Sequence, residues 1–224
     1  MSTARDNILA RVRKALGKRA SDPADLTRAE SYMEQRAQGP RPTMPTDLLA
    51  FFKQRAVDMA STVEMLASRE EIPRAVARYL ASLEWPEELA DQMTSQGVCW
   101  PEFADLDWAD AGLQIAARPT EGQDRLGITG VFCGMAETGT LVLVSGADTP
   151  TGTALLPDTH IAVLPRTRIV SGMEEAYALI RSECGGMPRA INFISGPSRT
   201  GDIEQTIVLG AHGPYRVHIL IVPE

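Results

Sequence analysis

The sequence predicts an α/β fold in which an open, mixed and mostly parallel sheet is covered by helices on both faces. Three observations lead to this prediction. Short β-rich runs alternate with glycine-containing turns and one clear helix in the second half of the chain. The composition, with 44% hydrophobic and 23% charged residues, is that of a globular protein. A length of 224 residues is enough to bury a sizeable core in one domain with an additional arm.

The N-terminal region is predicted to be an arm separate from the main domain. Apolar residues between Ile8 and Leu16 recur at helical spacing, and this helix is expected to end at Gly17. Residues 20–46 contain several prolines and few large apolar side chains, which is typical of a linker, here around a short helix near Tyr32. The predicted division is therefore an arm and linker at 1–46 and an α/β domain at 47–224.

The elements of the α/β domain follow from local patterns. Asp47 is a plausible N-cap for a helix that begins at Leu48, a strand is expected at 62–66 and a further helix at 70–80. The stretch 83–110 gives no clear pattern, and its three tryptophans are interpreted as packing anchors. A crossover helix is predicted at 172–184. The other predicted strands are 112–116, 128–135, 140–144, 160–164, 191–195 and 217–222.

Charge is distributed unevenly along the chain. The net charge is −7, which excludes a dominant basic surface for nucleic acid. The first 19 residues nevertheless contain six basic residues and one acidic residue. This segment could dock on an acidic surface of its own domain or of a partner, and the simpler interpretation, which we favour, is a solvated helix face.

The cysteines and histidines do not indicate a metal site. Cys99, Cys133 and Cys184 form no Cys-x-x-Cys pair, so no iron–sulfur or zinc site is predicted and no cofactor is expected in this chain. No apolar run approaches the roughly 20 residues that span a bilayer. With an odd number of cysteines and no signal-peptide pattern, we expect a cytoplasmic protein without a membrane span.

Three segments, 136–140, 195–204 and 210–214, combine glycine with small polar residues at predicted strand ends, where open α/β sheets usually bind ligands. None matches a dinucleotide fingerprint or a phosphate-binding loop. The candidate catalytic residues are Glu137 and His212. The candidate ligand-binding or anion-binding residues are Thr138, Gly139, Thr140, Ser195, Gly196, Ser198, Arg199, Thr200 and Gly213.

Glu137 stands between two apolar runs, so we expect its carboxylate to lie near a desolvated end of the sheet, where burial raises the pKa. Such a group could be a general base or a nucleophile toward an activated acyl group, and Gly139 would let a ligand approach the backbone. In the alternative interpretation, the segment is a tight hairpin turn and Glu137 only accepts hydrogen bonds from backbone N–H groups. The sequence leaves both open.

The segment 195–204 is predicted to lead from a strand into a helix whose first turn contains Asp202 and Glu204. Ser198, Thr200 and free backbone N–H groups would form an anion pocket, and Arg199 would pair with a carboxylate or phosphate. The alternative is an ordinary turn in which Ser198 or Thr200 is a helix cap.

His212 is placed in a loop by its neighbouring glycines and could be an acid/base partner of Glu137. His160 and His218 lie in apolar strand patterns and are interpreted as core or edge residues with satisfied hydrogen bonds. Cys133 is expected to be a buried, inert thiol.

Taken together, segments 128–130, 136–141, 195–204 and 210–214 resemble the LUD-domain family, in its stand-alone lactate utilization protein C type. The opening segment 4–16 is similar to the N-terminal helix of that group. The resemblance implies a fold like that of the NagB/RpiA/CoA-transferase group. It also implies a role in a cytoplasmic complex that oxidises L-lactate to pyruvate, with iron–sulfur oxidoreductase subunits as partners that carry the clusters.

Two classes of function follow. In the first, the chain is a non-redox subunit or accessory protein of such a complex and binds a small carboxylate or phosphate at the glycine-rich loops. In the second, it is a free-standing enzyme acting on a CoA thioester or a sugar phosphate, with Glu137 as nucleophile or base. A ligand sensor without catalysis is a third interpretation.

Overall fold

A computed structural model describes residues 3–17, 23–83, 95–201 and 208–224. The chain divides into two compact units, Met1–Thr43 and Met44–Glu224. The first unit contains helices α1 (Ala4–Ala15) and α2 (Pro23–Gln35). Thr3 caps α1, because its hydroxyl accepts a hydrogen bond from the Asp6 backbone while the Asp6 carboxylate accepts one from the Thr3 backbone. No residue of either helix is buried, and both predicted helices are confirmed.

The second unit opens with the predicted helix–strand–helix series. Helix α3 (Leu48–Asp58) is capped by Asp47, whose carboxylate accepts a hydrogen bond of 2.9 Å from the Ala50 backbone. Strand β1 (Thr62–Met65) follows, and helix α4 (Ile72–Ala81) comes next. The helix predicted at 70–80 starts slightly late, because Arg69–Glu71 forms a 3₁₀ turn and Pro73 occupies the first turn of α4.

The main sheet has six strands, and every adjacent pair is parallel. The strands other than β1 are β2 (Gln96–Cys99), β3 (Gln114–Ala117), β4 (Leu126–Gly130), β7 (Thr159–Pro165) and β12 (Arg216–Val222). The strand order across the sheet is β1-β12-β7-β4-β2-β3. The mostly parallel sheet is therefore confirmed. Strand β2 lies in the stretch that the sequence left unassigned.

A second sheet has four strands, β5 (Cys133–Met135), β6 (Thr140–Val144), β8 (Ile169–Val170) and β9 (Ile191–Ile194). Their order across the sheet is β8-β5-β6-β9. Strand β6 is antiparallel to both β5 and β9, and β8 is parallel to β5, so β5, β8 and β9 run in the same direction. Helix α6 (Met173–Glu183) connects β8 to β9 and confirms the predicted crossover helix.

The single strand predicted at 128–135 is wrong. The chain leaves the main sheet after Gly130 and enters the second sheet at Cys133. Both strands are buried on both faces, so their apolar residues run together in the sequence and no alternation marks the break. The short antiparallel pair β10 (Arg199–Thr200) and β11 (Val208–Leu209) was not predicted.

Helices cover both faces of the main sheet. On one face, Gly127 leaves no room for a Cβ beside the backbone of Thr153 in helix α5 (Gly152–Leu155). Gly127 pairs with His160 in the sheet, whereas His218 pairs with Ile161 and therefore points to the opposite face. On that opposite face, the ring of Tyr79 from α4 stacks on His218 at a centroid distance of 4.0 Å. The predicted two-sided covering is confirmed.

Trp100 and Trp108 belong to the core of this unit, with 4% and 6% of their surface exposed. Their indole N–H groups donate to the carbonyls of Pro150 and Phe103, at 3.1 and 2.9 Å. These contacts confirm the predicted packing role of the two tryptophans. Trp85 lies outside the described residues.

Candidate functional site

The predicted loops meet at the carboxyl edge of the second sheet. Glu137 follows β5, Ser171 follows β8 and Ser195 follows β9. Because these three strands are parallel, their carboxyl ends lie at the same edge of the sheet. Helix α6 begins at this edge with Gly172 as its N-cap. The site thus combines strand ends and a helix start, an arrangement that favours ligands in α/β proteins.

A chain of three hydroxyl groups joins the first two motifs. The Thr138 and Thr140 Oγ1 atoms are 2.7 Å apart, and Thr140 Oγ1 is 2.6 Å from Ser195 Oγ. Thr140 is buried with 3% of its surface exposed, whereas Thr138 and Ser195 are exposed. The buried hydroxyl therefore links two surface hydroxyls, each of which can donate to or accept from a bound polar group.

Glu137 is half-buried in the turn between β5 and β6. Its backbone N–H donates to the Ser171 carbonyl at 3.0 Å, and its own carbonyl accepts from Arg55 Nε at 3.3 Å. Within the described part of the chain, its carboxylate has no hydrogen-bond or salt-bridge partner. The backbone is thus held on two sides while the carboxylate stays available for a ligand.

Arg55 is a site residue that the sequence did not indicate. It comes from α3, 82 residues before Glu137, and its guanidinium also pairs with Asp58 at 3.1 Å. Its side chain keeps 38% of its surface exposed. No local sequence signal could have found it, because only the fold brings α3 next to the turn. Arg55 thus brings a guanidinium group against the backbone of Glu137.

The predicted role of Gly139 needs correction. Its φ is +65°, and a Cβ at this position would overlap the backbone of Arg55 and Ala56. Gly196 has a φ of +80°, and a Cβ there would overlap the Met59 carbonyl oxygen. The Cβ side of Gly139 is filled by the C-terminal part of α3, and that of Gly196 by Met59, the residue that follows α3, so a ligand cannot approach either glycine from that side. They bring the two loops close to that helix.

Ser198 and Gly213 come together as the third part of the site. The Ser198 N–H donates to the Pro214 carbonyl at 2.9 Å, and the Ser198 carbonyl accepts from Gly210 N at 3.0 Å. A Cβ at Gly213 would lie 3.2 Å from Ser198 Cβ. The prediction that this stretch offers free N–H groups is wrong for Ser198, because the returning chain already uses that donor.

Arg199 and Thr200 form strand β10 and pair with Leu209 and Val208. Arg199 is exposed and Thr200 is half-buried. The helical turn predicted at Asp202 and Glu204 lies outside the described residues. Arg199 therefore remains a candidate anion ligand at the surface next to Ser198.

His212 is exposed in the loop before β12. None of the described hydrogen bonds joins it to Glu137, so its pairing with that carboxylate stays a prediction. The other two histidines are buried as predicted, but their hydrogen bonding is only partly satisfied, because His160 Nδ1 and His218 Nε2 have no hydrogen-bond partner among the described residues. Thr129 Oγ1 is 2.8 Å from His160 Nε2, and Thr62 Oγ1 is 2.7 Å from His218 Nδ1. Burial lowers the pKa of His160 to about 3 and that of His218 to about 4.

Cys133 is fully buried, and burial raises the pKa of its thiol to about 11, which makes it inert as predicted. Among the described residues, no group of three or more histidine, cysteine, aspartate or glutamate side chains is arranged to hold a metal ion. No described helix is both long enough and apolar enough to cross a membrane.

Comparison with known proteins agrees with the resemblance seen in the motifs. The family model of the LUD domain matches residues 88–222. Lactate utilization protein C of Bacillus licheniformis is 35% identical over 131 residues, which are 56% of this chain and 54% of that protein. The protein of the same name from Bacillus subtilis is 36% identical over 131 residues, again 56% and 54% of the two chains. The alignment thus spans about half the length of these curated relatives.

A solved structure supports the fold. The crystal structure of a DUF162 family protein from Deinococcus radiodurans superposes with a TM-score of 0.55 at 21% sequence identity, and the match covers 81% of this chain and 99% of that one. At this identity the likeness concerns the fold alone. The LUD domain model, in contrast, matches more than half of the present sequence and includes all three motifs of the site. This chain therefore belongs to the LUD domain family.

Proposed function

We propose that this protein acts in lactate utilization as a non-redox subunit or accessory protein that binds a small hydroxy- or keto-carboxylate. Its place in the LUD domain family and the names of its curated relatives support the pathway. The hydroxyl chain Thr138–Thr140–Ser195, beside Glu137 and Arg55, is the observation that carries the ligand class.

The chemistry of these groups suits such a ligand. The exposed part of the Arg55 guanidinium can form charge-assisted hydrogen bonds with a carboxylate, although it must share its charge with Asp58. The Thr138 and Ser195 hydroxyls can bond a 2-hydroxyl or 2-keto oxygen. Glu137 would accept or return a proton at the same position, with His212 as the alternative proton carrier. Arg199, with Ser198 and Thr200, would hold a second anionic group.

Partner proteins would supply the redox chemistry in this proposal. Iron–sulfur oxidoreductase subunits would carry the clusters, and the α1 helix would contact an acidic surface on one of them. Arg11, Arg13 and Lys14 lie on this exposed helix. Reversing these three charges should weaken co-purification of the partners; equal recovery with the reversed helix contradicts a role for the arm in docking.

The decisive experiment measures lactate-dependent dye reduction by the proposed iron–sulfur partner proteins, purified anaerobically, with and without this protein. We expect reduction to require it. Glu137→Gln and Thr140→Val should each lower the rate by about tenfold or more, since the first alters the proposed proton carrier and the second removes the buried hydroxyl that joins Thr138 and Ser195. Thr27→Val is the matched control. It makes the same change in helix α2, at a residue outside the proposed site, and should leave the rate unchanged. Equal turnover by the partners alone overturns the subunit proposal.

The Glu137 carboxylate has no hydrogen-bond or salt-bridge partner in the described part of the chain, and this also favours a second candidate, a free-standing enzyme acting on a CoA thioester or a sugar phosphate. In that case the protein alone should turn over a CoA thioester or a sugar phosphate. Glu137→Gln should abolish this turnover while the circular dichroism spectrum stays unchanged. Full activity of the variant would exclude Glu137 as nucleophile or base.

A further inference from the structure

A second pocket lies at the carboxyl edge of the main sheet, apart from the site described above. Its volume is about 410 Å³, within the range of roughly 300–1,000 Å³ that small-molecule sites occupy. Gly130, Pro165 and Val222, the last residues of β4, β7 and β12, line it. These strands are neighbours in the parallel sheet, so the pocket occupies the edge at which open α/β sheets bind ligands.

The walls of this pocket are apolar. Phe103, Val131 and Val163 line it and belong to the hydrophobic core, with 3%, 7% and 4% of their surface exposed. Trp100 is also part of the lining, and its indole N–H is already bonded to the Pro150 carbonyl, so the tryptophan offers only apolar ring surface. A ligand would therefore need an apolar body to fill the space.

The charged groups at the pocket favour a cation. Arg69 is held by two hydrogen bonds to Asp105, at 2.7 and 2.9 Å, so a carboxylate already balances its charge. The Glu102 carboxylate lies directly against Gly130, where a Cβ would overlap Oε1, and the described chain contains no salt bridge to it. Glu224 is a second carboxylate at the lining. The balance is thus negative around an apolar space.

The surroundings of Glu102 shift the pKa of its carboxyl group, even though the residue as a whole is exposed. Desolvation against Gly130 and its surroundings raises the pKa of the carboxyl group, while nearby Arg69 and a hydrogen bond from the Gly130 backbone lower it. A cation that binds next to this carboxylate would replace part of the lost hydration.

We propose that this pocket binds a small organic ammonium ion with an apolar body, the ammonium group on Glu102 and the body against Trp100, Phe103 and Val163. The site is independent of the proposed lactate function, because its lining, which includes Val144 at the end of β6, contains none of the residues assigned above. The protein would then bind a second ligand, and this ligand would act as a regulator or as an amine-bearing co-substrate.

Isothermal titration of the full chain with benzylammonium, benzyl alcohol and benzoate tests the proposal. The three probes share the ring and differ in charge. Benzylammonium should bind at least about tenfold more tightly than the other two, and Glu102→Gln should remove that advantage. Glu121→Gln, a matched change of an exposed glutamate outside the pocket, should have no effect. Absence of benzylammonium binding, or equal affinity for the three probes, overturns the proposal.

A second variant covers the case in which Glu102→Gln fails to fold. Val144 is half-buried at the pocket lining, and Val144→Phe should fill the space and weaken benzylammonium binding by about tenfold or more. Unchanged binding by this variant also overturns the proposal. Thr140→Val, which alters the other site, should leave benzylammonium affinity as it is, so that a failure here is distinguishable from a failure of the lactate proposal.

Discussion

Two threonine hydroxyls in the main unit are buried to a similar degree but have opposite surroundings. Thr140 is 3% exposed and its hydroxyl has two partners, Thr138 and Ser195. Thr153 is 0% exposed, and its hydroxyl has no hydrogen-bond partner among the residues that the structure describes. A satisfied buried hydroxyl stabilises the fold modestly, whereas an unsatisfied one costs free energy because it has lost its water. The two positions should therefore respond oppositely to the same change.

We expect Thr153→Val to raise the free energy of unfolding by about 1 kcal/mol, because valine has a similar shape and removes the unpaired hydroxyl. Thr140→Val should lower it by about 1–2 kcal/mol, since it leaves Thr138 and Ser195 without their common partner. Urea unfolding at neutral pH measures both. Destabilisation by Thr153→Val to the same extent as by Thr140→Val would mean that the Thr153 hydroxyl is satisfied in solution.

At the scale of elements, α3 is the support on which the site loops rest. Gly139 approaches the C-terminal residues of this helix, and Gly196 approaches Met59 directly after it, so closely that no side chain fits, and both glycines have positive φ angles. The helix also contributes Arg55, which bonds the Glu137 carbonyl. The position of the hydroxyl chain therefore depends on contacts between α3 and two loops that are distant from it in the sequence.

Gly139→Ala and Gly196→Ala should each lower the free energy of unfolding by about 3 kcal/mol, since a methyl group at these positions meets helix backbone and the positive φ adds strain. Gly186→Ala is the control: nothing lies within 4 Å of a Cβ there, and its φ is not positive. Its effect should stay within about 0.5 kcal/mol. Thermal and urea unfolding provide the comparison. If all three variants behave alike, the contact with α3 is looser than the structure indicates.

At the scale of the whole molecule, two buried histidines connect stability to pH. Both His160 and His218 have pKa values below the ordinary value of 6.5, at about 3 and about 4, because burial disfavours the charged ring. The unfolded chain therefore binds more protons than the folded chain between those values and pH 6.5. Their contribution to stability is complete above pH 6.5 and is lost as the pH falls toward 4 and 3.

We expect the free energy of unfolding to fall below pH 6.5, with a slope of up to about 2.7 kcal/mol per pH unit when both histidines contribute. His218→Phe keeps a ring for stacking on Tyr79 and removes one titrating group, so it should reduce the slope by about half. Urea unfolding at several pH values between about 4.5 and 7.5 measures this slope for the unchanged protein and for the variant. A slope that His218→Phe does not change would exclude this histidine as a source of the acid sensitivity.

The predictability of the structure differed between its parts for physical reasons. Amphipathic spacing and caps are local, so α1, α3 and α6 could be predicted from their own residues. The break between β4 and β5 could not, because two strands buried on both faces read as one apolar run. Strand β2 follows a stretch without periodicity and becomes a strand through its pairing with β3 and β4.

The sequence by itself determined the fold class, the family and the polar residues at the strand ends, because hydrophobic periodicity and compact motifs are properties of neighbouring residues. Tertiary structure alone decided which of these residues meet. It joined Thr140 to Ser195 across 55 residues, placed Arg55 beside Glu137, and filled the space near Gly139 and Gly196 with a helix. Contacts between distant segments depend on the paths of whole strands and helices, and no local pattern records those paths.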